Sequence, residues 1–243
     1  MSPSCLRSAS VAGEPGRRPY HRGAALSYGG RVTIYLAGGG SHRQEALVWR
    51  EAFTGITRAV YWPFALPDDR IPEAESWLRT ALNDLEIDAQ VDVWLSLDGR
   101  SPADLRPYEL LFVGGGITSK LAVHVLTYGF TQPVVDFVTG GGAYLGGSAG
   151  AILACDTITI AALIDDDPAA RGLPGLGLVP GLSVYPHVDT YAADPVQVTR
   201  ELGHDVIGLP EASGVAVRAG DLRPIGPGTV RLFTDGGATV RTL

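Results

Sequence analysis

The sequence predicts an α/β fold: a doubly wound, mostly parallel sheet with antiparallel edge strands at the C-terminus. Three observations carry that expectation. From residue 32 to 148, apolar runs alternate with stretches of helical periodicity. The runs are apolar at consecutive positions, as strands buried on both faces require. Beyond residue 175 the pattern changes to short strands separated by Gly and Pro, which suit hairpins at a sheet edge.

The elements follow in order. VTIYLAGGG (32–40) reads as a strand ending in glycines, and HRQEALVWREAFTGI (42–56) as a helix with one apolar stripe. RAVYWPFA (58–65) is a second strand. IPEAESWLRTALNDL (71–85) is a helix, with Pro72 near its start and acids in its first turn. AQVDVWLSL (89–97) and YELLFVGGG (108–116) are further strands, and helices follow over about 118–128 and 132–139. A strand then leads to Ser148, and a small-residue helix runs from Ala149 to Cys155. The last third offers short strands at 175–188, 205–211, 214–220, 221–225 and 229–234. Trp49, Trp62, Trp77 and Trp94 fall on core-facing positions and receive no functional role. Residues 1–30, rich in Ser, Gly, Pro and Arg without hydrophobic period, read as a disordered extension, which leaves 31–243 as the α/β domain.

Bulk properties narrow the function. A formal net charge of −7 and a single lysine, Lys120, argue against nucleic acid and anionic membranes as partners. Cys5 and Cys155 make no disulfide framework, and His21, His42, His124, His187 and His204 have no metal-ligand spacing, so neither a metal nor another cofactor is expected. No apolar run reaches the ~20 residues of a membrane span and no secretory h-region opens the chain. The expectation is a cytoplasmic protein, monomer or homodimer.

Three strands end in glycine runs: AGGG (37–40), VGGG (113–116) and GGSAG (146–150). None fits a nucleotide-binding fingerprint. The first run reads as plain turn chemistry. The third, Gly146-Gly147-Ser148-Ala149-Gly150, fits the G-x-S-x-G nucleophile elbow, which exposes a serine hydroxyl at a helix N-terminus. A serine nucleophile needs a base. His187 follows an apolar strand and is the best placed histidine; His204 and His42 are weaker candidates. Its orienting acid is either Glu211, at another strand end, or Asp165 in the run Asp165-Asp166-Asp167. Cys155 reads as a buried packing residue.

From FVGGG (112–116), GxSAGA (146–151), Cys-x-Thr-Ile (155–158), Pro186-His187 and GLPE (208–211), in that order, the chain resembles peptidase family S51, which includes dipeptidase E (aspartyl dipeptidase) and, more distantly, cyanophycinase. The resemblance runs from about residue 31 to the end. It implies a fold like that of class I glutamine amidotransferases and a serine-type hydrolase acting on short peptides. By motif, Ser148 would be the nucleophile and His187 the general base. Glu211, or an acid after the serine helix near Leu163 and Asp165, would be the third member. Gly116 and Ala149 N–H groups would form the oxyanion hole. Substrate contacts are expected from Gly115, Ile117 and Arg200. Two departures bear on specificity. Ile117 stands where the family commonly has Asn. In DTYAADPVQVTREL (189–202), Pro195 occupies the place of the carboxylate-gripping arginine, and the arginine present is Arg200. The alternatives are an α/β-hydrolase-type esterase using Asp165 and a non-catalytic binding protein on the same scaffold.

Overall fold

The computed structural model describes residues 34–243, so the expectations for 1–30 and for Cys5 lie outside the described residues. In chain order the elements are β1 (Ile34–Ala37), α1 (Ala46–Ala52), β2 (Arg58–Trp62), α2 (Ala74–Asp84), β3 (Gln90–Val93), β4 (Leu110–Val113), α3 (Thr118–Thr127), α4 (Thr131–Thr139), β5 (Ala143–Gly147) and α5 (Ala149–Leu153). Then come α6 (Ala161–Ile164), β6 (Leu182–Pro186), α7 (Pro195–Leu202), β7 (Asp205–Leu209), β8 (Gly214–Arg218), β9 (Asp221–Ile225), β10 (Arg231–Thr234) and β11 (Thr239–Thr242).

A seven-stranded sheet runs β3-β2-β4-β5-β1-β8-β9. Its first five strands are parallel, and β8 and β9 close the edge as an antiparallel hairpin. Pro224 pairs with Val215 on the outermost strand, where a missing N–H is tolerated.

Alternate residues of each strand enter opposite cores. Leu36, Val60, Trp62, Leu111, Val113 and Tyr144 face one cluster. Tyr35, Ala37, Ala59, Tyr61, Phe112 and Leu145 face the other. Helices α3, α4 and α5 cover the first through Leu121, Val125, Val134 and Ile152. Helices α1 and α2 cover the second through Val48, Trp49, Leu78 and Leu82. Each fully buried Leu, Val or Phe contributes roughly 1.5–3 kcal/mol, so both faces supply a driving force.

The last third departs from the sequence reading in one respect. Strands β6, β7, β10 and β11 form a second, four-stranded sheet, β11-β10-β7-β6, in which β6 and β7 are parallel. Val184, Tyr185, Ile207, Leu209 and Phe233 pack it onto the α5 side of the main sheet. The hairpin pattern of β10 and β11 is the same in either sheet, and tertiary packing selects the sheet.

Candidate active site

Three strand ends meet at Ser148. Strand β5 leads into it; its neighbours β1 and β4 end in the other two glycine runs. Open α/β sheets place their sites at such carboxyl ends.

The elbow is sharp. Ser148 has φ 47° and ψ −106°, a left-handed conformation costly for a residue with a side chain. Its small neighbours make the turn possible. A Cβ on Gly146 would lie 2.5 Å from the Gly150 carbonyl oxygen, and one on Gly150 would lie 2.3 Å from that of Val113. The Tyr144 hydroxyl donates to the Gly150 carbonyl at 2.7 Å and ties strand to helix.

Consecutive carbonyls at the end of β1 hold Ser148 and His187 together. Ala37 O accepts the Ser148 N–H at 3.1 Å, and Gly38 O accepts the His187 N–H at 2.8 Å. His187 also has a positive φ, 52°. The imidazole Nε2 lies 3.0 Å from Ser148 Oγ, and Nδ1 lies 2.9 Å from Glu211 Oε1. With the ring proton on Nδ1, His187 donates to Glu211 and accepts from the serine hydroxyl. Glu211 is further held by Gln44 Nε2 at 3.3 Å. The bond from His187 keeps the Glu211 carboxyl below its ordinary value, against the opposing pull of desolvation, so it is a carboxylate at neutral pH.

Asp165 makes no such contact. It accepts a hydrogen bond from the Tyr191 hydroxyl at 3.1 Å and lines an open depression with Asp166, Asp167, Ile117 and Gly116 on one side of Ser148. Of the two acids offered by the sequence, the geometry therefore puts Glu211 on the imidazole. Arg200 lies apart from the serine. It sits on α7, which starts at Pro195 behind an Asp194 cap and ends at Gly203, and it lines a separate depression with Gln197 and Glu201. The helix consumes the segment in which a gripping arginine was sought, and its register carries Arg200 to that other surface.

The loop after β4 supplies donors. Gly114 N–H bonds Trp62 O and Ile117 N–H bonds Ala65 O, while the Gly115 and Gly116 N–H groups have no acceptor among the described residues. Gly116 has φ 135°, and a Cβ there would lie 2.3 Å from Ala65 O. Gly115 packs on the serine itself: a Cβ would be 3.2 Å from that of Ser148. The Ala149 N–H is the first of α5, one of those a helix leaves without an internal acceptor. The arrangement brings together a serine hydroxyl, an imidazole, an ionised carboxylate and open backbone donors.

Several participants were not singled out by the sequence. The AGGG run is more than a turn. A Cβ on Gly38 would lie 2.1 Å from Pro210 O, so only glycine lets the Glu211 strand end approach β1 this closely. Glu45, 5% exposed, accepts from Gly39 N–H at 2.7 Å and Trp49 Nε1–H at 3.0 Å. Burial pushes its carboxyl up to about 7. Trp49 and Trp77 line a cavity of about 320 Å³ beside Ser148 and His187, and Trp77 is 42% exposed rather than core. Trp62 and Trp94 are buried in the opposite core as expected, and so is Cys155, whose thiol burial pushes up to about 12. His42 pairs with Asp84, and His204 lies 2.7 Å from Ser183 Oγ, away from the serine.

Among the described residues no helix is long and apolar enough to cross a membrane. Two solved structures share the fold. A peptidase from an acI-B1 Actinobacterium superposes with a TM-score of 0.67 at 18% identity, over 87% of this chain and 93% of that one. A Listeria monocytogenes EGD-e protein superposes with a TM-score of 0.63 at 18% identity, over 81% and 98%. Peptidase E of Salmonella gallinarum is 35% identical over 147 residues, 55% of this chain and 61% of that protein. Peptidase E of Citrobacter koseri is 36% identical over 141 residues, 53% and 60% respectively. The chain thus spans about three fifths of the length of these curated relatives. Residues 34–225 match the family described as Peptidase family S51, and that stretch holds all three glycine runs together with Ser148, His187 and Glu211. The chain belongs to peptidase family S51.

Proposed function

We propose that this chain is a serine-type peptidase that hydrolyses short peptides through an acyl-Ser148 intermediate. The observation that carries the reading is the continuous hydrogen-bonded line from Ser148 Oγ through the His187 ring to Glu211, set on a strained elbow. Membership of the family and the likeness to proteins named Peptidase E support it.

In the mechanism, His187 Nε2 takes the hydroxyl proton as Ser148 Oγ bonds to the scissile carbonyl carbon. The carbonyl π pair moves to oxygen, where the Gly116 and Ala149 N–H groups receive the negative charge. Removing one such donor costs ~3 kcal/mol in enzymes of this type. Collapse breaks the C–N bond, and the proton on Nε2 goes to the leaving amine. Water then gives a proton to Nε2 and attacks the acyl carbon; the acid departs and Ser148 regains its proton. Glu211 holds the imidazole in one tautomer and stabilises its charged form. A cavity of about 320 Å³ suits a ligand of one or a few residues.

The esterase alternative needed Asp165 on the imidazole, a place Glu211 holds. The non-catalytic alternative has only Ile117 in its favour. The test is a dipeptide-library incubation read by LC-MS beside Ser148→Ala, with a fluorophosphonate probe. Hydrolysis and labelling that both vanish in the variant are expected. Hydrolysis that persists in the variant would exclude the scheme.

A further inference from the structure

We propose that the aromatic cavity beside Ser148 receives the acyl residue of the substrate, and that the buried Glu45 carboxylate, with the Tyr61 hydroxyl, binds an ammonium group on that residue. The chain would then prefer acyl residues that carry an amine and no side-chain carboxylate. The inference rests on the peptidase reading above and deepens it.

The cavity opens at Ser148 and His187 and is walled by Trp49, Tyr61, Trp77 and Phe112. Two buried polar groups line it with bonding capacity to spare. Glu45 accepts one hydrogen bond at each oxygen, whereas a carboxylate accepts about four in all. Its Oε2 lies 4.0 Å from where a Gly147 Cβ would stand, next to the nucleophile. Tyr61 is 2% exposed and lines the cavity, and its hydroxyl makes no hydrogen bond among the described residues. That oxygen abuts the oxyanion loop: a Cβ on Gly114 would be 2.5 Å from it. A ligand bearing several N–H donors would use the remaining acceptor capacity of both groups at once. Aromatic faces around them attract cations further.

Charge decides against an acidic residue. Arg70 also lines the cavity, but its side chain is 65% exposed and is paired with Glu73 at 3.1 Å. Solvent and its partner screen that charge; Glu45 is shielded from both. On the other side of Ser148, Asp165, Asp166 and Asp167 line the second depression, which contains no Lys or Arg. Carboxylates therefore dominate both approaches. Burial holds the Glu45 carboxyl up at about 7, and a bound ammonium would draw it to its charged form.

An α-ammonium and a lysine ε-ammonium share this chemistry, and one experiment separates them. Full-length Ser148→Ala protein is titrated calorimetrically with Phe-Leu, 3-phenylpropionyl-Leu (which lacks the amino group), Lys-Leu, norleucyl-Leu and Asp-Leu. Binding is measured rather than turnover because Glu45 also holds Gly39, which packs on His187. Loss of the α-amino group weakening binding by about 30-fold assigns the pocket to the α-ammonium; lysine exceeding norleucine by a similar factor assigns it to the side chain. Either result supports the proposal, and adding Glu45→Gln should shrink the difference to within about 3-fold. Should that variant unfold by circular dichroism, Tyr61→Phe takes its place, with a smaller expected reduction. Indifference to both amines, or Asp-Leu as the tightest ligand, overturns the proposal. Turnover by the unmutated chain is scored separately. Amine-dependent binding without turnover would sink the peptidase reading alone, and turnover without amine dependence would sink only this inference.

Discussion

Gly39 and His187 meet with no room for a side chain between them: a methyl on Gly39 would lie 2.1 Å from the imidazole Cε1 and 2.2 Å from Nε2. The same glycine gives its N–H to Glu45 Oε1 at 2.7 Å. The end of β1, the imidazole and a buried carboxylate are therefore one packed unit.

Gly39→Ala should displace the ring by about an ångström and lower kcat/KM by about 100-fold or more, since small misplacements of a catalytic group carry that cost. Gly129→Ala is the control, because nothing lies within 4 Å of its added Cβ. Its φ of 68° makes it about 1 kcal/mol less stable, with activity retained. Equal activity in the two variants would show that the Gly39 contact does not position the base.

Ser148→Ala should lower kcat by about 10⁴-fold or more with an unchanged circular dichroism spectrum. Among the described residues the hydroxyl hydrogen-bonds His187 alone, so its loss removes no structural tie. Steady-state kinetics on a cleaved dipeptide measures the first quantity.

Glu211→Gln should cost about 10³- to 10⁴-fold in kcat by spoiling the imidazole tautomer. Asp165→Asn, which changes only the partner of Tyr191, should cost less than about 5-fold. Reversal of this order would move the orienting role to the loop after α6.

Glu45 makes stability fall with pH. Its folded value of about 7 lies above the ordinary 4.5, so the native state binds the proton more tightly than the unfolded chain does. Stability from this group is full below about 4.5, declines as pH rises and is lost above about 7, a swing of about 3 kcal/mol. Glu45→Gln removes that dependence. Urea unfolding of both chains at pH 5 and pH 8 should find the glutamine variant gaining on the parent by roughly that amount between the two. A difference independent of pH would contradict the burial argument.

The sequence determined the alternation of strands and helices, the antiparallel end of the chain, and the three motifs GxSAGA, Pro-His and GLPE. Apolar runs and turn glycines are local signals, and a nucleophile elbow is a local constraint on a few dihedral angles. Tertiary structure alone decided the rest. Glu211 and Asp165 both follow plausible elements, and only the pairing of β6 with β7 brings Pro186 beside Leu209 and so Glu211 to Nδ1. Trp49 is buried as periodicity expects, but Trp77, on a stripe also assigned to the core, is exposed, because helices α1 and α2 leave a cavity between them and the strand ends. Glu45 received no role from the sequence, and its burial depends on the Gly39 N–H and the Trp49 indole that close around it. Local patterns encode what each segment becomes. Which side chains share a pocket depends on the long-range register of strands, and no short stretch of sequence contains that information.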